Sequence, residues 1–86
     1  MNCPIEVVET LERYLKHGTP TGGFLHACLT NNLTESFALA DDYNRAAMFG
    51  IVNYMYNELP SDCWGSPGKV EAWLDKKAEE RKENES

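Results

Sequence analysis

Two loops of this 86-residue chain hold residue types that suit a ligand, one an anion and the other an aromatic ring to stack. The first is Gly18-Thr19-Pro20-Thr21-Gly22-Gly23. Consecutive backbone N–H groups at a helix start attract negative charge, and glycines let a phosphate or carboxylate come close. Thr19 and Thr21 add hydroxyls on either side of Pro20. The segment lacks the lysine of a nucleotide-triphosphatase loop and the spacing of the dinucleotide fingerprint, so it matches neither. It also reads as a plain turn between helices whose glycines serve geometry. Residues 17–44 contain no Lys or Arg, so a phosphate held there needs charge from Arg13, Lys16, Arg45 or Lys69.

The second loop runs Leu59-Pro60-Ser61-Asp62-Cys63-Trp64-Gly65-Ser66-Pro67. A tryptophan among turn-forming residues can stack on a base or anchor a partner, and it can equally plug the end of a small core. The candidate ligand set is therefore Thr19, Thr21, Gly22 and Gly23 as a cradle, Arg45 and Lys69 as charge, and Trp64 with Ser66 beside it. Tyr14, Tyr43, Tyr54 and Tyr56 give more phenols than a core of this size requires, and suit the edge of an interface or pocket.

Other chemistries find little to build on. His17, His26, Cys28 and Cys63 show no paired metal-ligand spacing, and His26 and Cys28 fall on different faces of a helix. Cys63 with a histidine lacks the third, orienting group of a nucleophilic site. Asp41 and Asp42 read as residues that start a helix. No enzyme, metal or cofactor is expected from these residues.

The elements that must position the loops are helices, because no run shows sustained period-two alternation. A first helix from Cys3 or Pro4 carries Ile5, Val8, Leu11 and Leu15 on one side and stops at Gly18. Thr21 caps a second, from about Gly22 to Thr30, burying Phe24, Leu25, Cys28 and Leu29. Asn32 and Glu35 have capping-box spacing for a third from Leu33 to Ala40, with Leu33, Phe37 and Leu39 inward. After Asp41-Asp42 the longest helix runs to Glu58 on a stripe of Ala47, Met48, Ile51, Val52, Met55 and Leu59. Ser66-Pro67 starts a last helix that docks through Val70, Trp73, Leu74 and Ala78. The expected fold is all-α, a compact bundle of four to five short helices over residues 1–78, with 79–86 a charged, frayed tail.

Eight Lys and Arg against fourteen Asp and Glu give a net charge of −6, which disfavours bulk nucleic-acid binding. No stretch suits a membrane span, and four charges in residues 1–15 do not suit a signal peptide, so the expected place is the cytoplasm. Three widely spaced cysteines suit thiols better than a disulfide framework. A chain this short is marginal alone, and a homo-oligomer or a ligand is expected to support it.

The segments Gly18-Thr19-Pro20-Thr21-Gly22-Gly23-Phe24-Leu25, Asn32-Leu33, Ala40-Asp41, Asn44-Arg45, Asn57-Glu58-Leu59-Pro60 and Cys63-Trp64-Gly65-Ser66-Pro67 together resemble a family of small proteins of tailed bacteriophages. The likeness spans about Leu11 to Leu74, and Cys-Trp-Gly-Ser-Pro is its most specific piece. It implies a setting, the cytoplasm of an infected bacterium, and an accessory protein that acts by binding. The leading expectation is a non-catalytic counter-defence protein that sequesters a small phosphorylated nucleotide signal. The alternatives are an acidic inhibitor that binds a host defence protein, and a structural or regulatory phage helper.

Overall fold

Gly18 ends the first helix as the sequence predicts, at a φ of 67°. L side chains avoid that left-handed region, and a Cβ at Gly18 would also run into Lys77. The computed structural model describes residues 3–85, with side chains from 3 to 82. Helix α1 spans Ile5–His17 behind Pro4, whose carbonyl accepts from the Val7 and Val8 amides. Its buried residues are Val7, Leu11 and Tyr14, whereas Ile5, expected on the inner side, is 64% exposed. The inward face is thus rotated toward Tyr14, the largest fully buried side chain.

Helix α2, Gly23–Leu29, buries Leu25, Ala27, Cys28 and Leu29. Gly22 is its cap residue, and the Thr21 hydroxyl donates to the Gly22 carbonyl instead of capping as expected. Helix α3, Leu33–Leu39, begins with half of the predicted box: Asn32 Oδ1 accepts from the Glu35 amide at 3.1 Å, but the Glu35 carboxylate accepts from Asn32 Nδ2 at 3.4 Å, because the Asn32 backbone amide donates to the Ala27 carbonyl. Its inward set differs from the expected one. Ser36 is the buried residue of α3, while Leu33, Phe37 and Leu39 are 66%, 42% and 50% exposed.

The helix expected to run from Asp41-Asp42 to Glu58 is two helices. Asp41 caps α4, Asp42–Ala46, by accepting from the Asn44 amide at 2.7 Å. The path breaks at Ala47 and resumes as α5, Met48–Glu58. Met48, Ile51 and Met55 are buried on α5, but Val52 lies outside the expected stripe at 44% exposed. The longest helix is α6, Pro67–Glu85, opened by Ser66 Oγ accepting from the Lys69 amide at 3.2 Å. It continues through the segment expected to fray; Ser86 lies outside the described residues.

Six helices and no strand among the described residues make an all-α bundle, with the break at Ala47 adding a helix to the expected number. One core joins α1, α2, α5, α6 and the loop before α6, with Leu11, Tyr14, Leu29, Ile51, Met55, Cys63 and Val70 sealed from solvent. Helix α6 is tied to the end of α1 by Trp73 Nε1 donating to the Tyr14 carbonyl at 3.1 Å and Arg81 Nη1 donating to the His17 carbonyl at 2.8 Å. A cation at those last carbonyls also suits the negative end of the α1 dipole. Among the described residues no helix is long and apolar enough to cross a membrane.

Candidate functional site

The loop before α6 is anchored from beneath. The Cys63 side chain is fully buried, its thiol donates to the Pro60 carbonyl at 3.3 Å, and its own carbonyl accepts from the Tyr14 hydroxyl at 2.6 Å. The Gly65 amide donates to the Leu29 carbonyl at 2.7 Å, which pins the loop to the C-terminal end of α2. Gly65 takes a φ of 111°, where a side chain would strain the backbone.

With its neighbours so held, half-buried Trp64 divides two hollows. On one side a space of about 60 Å³, among Cys28, Asn31, Leu33, Ser36, Val52 and Met55, has room for little more than water. On the other, Tyr56, Leu59, Ser61, Trp64, Gly65 and Lys69 line an open hollow of about 480 Å³. That volume lies within the roughly 300–1,000 Å³ of small-molecule sites. A Cβ on Gly65 would stand 4.0 Å from Lys69 Nζ, so the ammonium lies over the turn.

The structure separates the candidate residues into groups. Trp64 and Lys69 border the larger hollow, and Ser66, next to them in sequence, directs its hydroxyl into capping α6. Thr19, Thr21, Gly22 and Gly23 precede or open α2, whereas the Trp64 loop is bonded to its far end. Seven helical residues put about 10 Å between those ends. No residue of the glycine turn lines either hollow beside Trp64. Arg45 sits on α4, where its guanidinium donates to the Ala40 carbonyl at 3.1 Å and pairs with Asp42 at 3.5 Å. Leu59 and Ser61, which belong to the second loop but not to the candidate ligand set, also line the hollow.

The thiols have little nucleophilic character. Burial pushes Cys63 and Cys28 up from the ordinary thiol value, and the Ser36 hydroxyl offsets only part of the rise at Cys28. All three cysteines are free. Among the described residues no group of His, Cys, Asp and Glu is arranged to hold a metal ion. No family model, curated protein or solved structure matches the chain.

A second surface feature was not expected from the sequence. Phe49, Val52 and Tyr56 on α5, and Leu33 and Phe37 on α3, all present apolar surface to solvent. Leu33 and Val52 border the same small hollow, so the two helices contribute to one continuous face.

Proposed function

We propose that the chain is a non-catalytic binding protein that captures a small phosphorylated nucleotide in the hollow beside Trp64. What carries this reading is that Trp64, Tyr56 and Lys69 border one space of about 480 Å³. Either ring offers a face for a base, the lysine a charge for a phosphate, and Ser61 a hydroxyl for a sugar or base edge. The cradle of Thr19 to Gly23 and the charge of Arg45 have no part in it. One ammonium in a chain of net charge −6 balances little negative charge, which favours a monophosphate or phosphodiester over a triphosphate. In the phage setting suggested by the family resemblance, holding such a signal in the host cytoplasm would blunt a defence without any reaction.

Trp73→Phe leaves Trp64 as the only indole and makes its emission a reporter. Saturable quenching by adenosine monophosphate or a cyclic dinucleotide, weaker with adenosine triphosphate and lost in Lys69→Ala, is the expected result. An emission unchanged by all three, or a response that survives Lys69→Ala intact, overturns the reading.

The inhibitor reading has its own support in Glu71, Asp75 and Glu79, exposed at four-residue spacing on α6. A protein partner held by that stripe would associate more slowly as salt rises. A salt-independent association rate counts against it.

A further inference from the structure

We propose that the apolar face of α3 and α5 is where two copies of this chain meet, packed about a two-fold axis that passes beside α5 at the level of Val52 and Asn53. The inference does not rest on the nucleotide reading, although the two share Tyr56. Phe49, Val52, Asn53 and Tyr56 stand at i, i+3, i+4 and i+7 and share one side of α5. Phe49 is 68% and Tyr56 77% exposed, which is unusual for rings of this size on a monomer's helix.

Charge selects the occupant. Residues 46–57 contain no charged residue, and Glu35 is the only one between Leu33 and Ala40. Two copies of net charge −6 repel over most of their surfaces, and this face is where that repulsion is least. A basic partner finds almost nothing here to pair with, and an anionic membrane is repelled by the rest of the molecule.

The size and symmetry of the face also fit. In an isologous pairing, residue i meets j and j meets i. Antiparallel α5 helices then place Phe49 against Tyr56 of the second copy at both ends and Val52 against Asn53 in the middle, so large rings meet rings and neither meets a charge. The exposed parts of Leu33, Phe37, Phe49, Val52 and Tyr56 amount to on the order of 500 Å² per copy, near the apolar share of a standard homodimer interface of about 800 Å² per partner. Because Tyr56 also lines the Trp64 hollow, dimerisation sets Phe49 of the second copy at its rim.

Sedimentation equilibrium from about 1 to about 500 µM tests the proposal on the whole chain. The expected species has twice the 9.7 kDa chain mass. Phe49→Glu and Tyr56→Glu, both at solvent-exposed positions, should each weaken it at least about 30-fold. Ile5→Glu, at an equally exposed site on α1, should leave it unchanged, and circular dichroism verifies that each variant is folded. On the unaltered chain, nuclear magnetic resonance shifts on dilution should concentrate in residues 33–40 and 49–57. A monomer throughout the range overturns the proposal and leaves the face to a different protein. A dimer that persists in both glutamate variants, that Ile5→Glu disrupts equally, or whose dilution shifts fall elsewhere overturns it as well.

Discussion

The Tyr14 hydroxyl donates a 2.6 Å hydrogen bond to the Cys63 carbonyl, 49 residues along the chain. The phenol is only 1% exposed, so a core ring reaches out to fix the backbone of the loop that carries Trp64. The same residue's carbonyl receives Trp73 Nε1, which makes Tyr14 the link between α1, the loop and α6.

Tyr14→Phe keeps the ring and removes the donor. The Cys63 carbonyl has no other hydrogen-bond donor among the described residues, so the cost should be about 1–3 kcal/mol. Urea melts measure it. A loss below about 0.5 kcal/mol would show that water replaces the phenol without penalty.

Alkaline pH should unfold the protein earlier than a domain lacking such groups. Burial raises Cys28 and Cys63 above the ordinary 9.0, and raises Tyr14 above 10.0, with neighbouring Cys63 adding to the rise. Below those ordinary values the groups are neutral in both states, and their contribution is fully present. Above them the unfolded chain releases protons first, so stability falls from about pH 9 upward, more steeply past pH 10. Urea midpoints across that range check the sign, and Tyr14→Phe should flatten the upper part.

Trp73→Ala removes a half-buried indole, its bond to the Tyr14 carbonyl, and the ring beneath the Lys76 and Lys77 ammonium groups, 5.1 and 5.0 Å from its centre. A loss of about 3 kcal/mol is expected from a large truncation of this kind. Thermal or urea unfolding showing less than about 1 kcal/mol would mean that α6 is held by its other contacts.

Two glycines should answer alanine in opposite directions. Gly18→Ala forces a side chain into left-handed backbone beside Lys77 and should cost more than about 1 kcal/mol. Gly68→Ala lies in the first turn of α6 with open space around it and should stabilise by roughly 0.4–1 kcal/mol. Paired melting curves read both.

Local signals in the sequence located most helix ends. Gly18, the Asn32–Glu35 pair, Asp41 and Ser66-Pro67 all act within one turn of themselves, and each does what its residue type suggests. The break at Ala47 has no marker at the position itself, since alanine favours helix; Gly50, three residues on, lies within α5. Periodicity shows which residues share a side but not whether another element covers that side. Leu33, Phe37 and Val52 follow helical spacing and still face solvent, while Tyr14 is buried with its hydroxyl satisfied by a carbonyl 49 residues away. The candidate site divides for the same reason: the glycine turn and the tryptophan loop are separated by the length of α2, a distance no local motif encodes.

The tethers from α6 to Tyr14 and His17 grip α1, and no buried apolar residue on α3 or α4 belongs to the core cluster. Amide exchange should therefore be fastest in the middle of the chain, where α3 opens without disturbing the core shared by α1, α2, α5 and α6. That mobile unit carries Leu33 and Phe37. If two copies meet there, association will slow the opening of α3, and the least stable part of the fold will be the part that reports how crowded the protein is with itself.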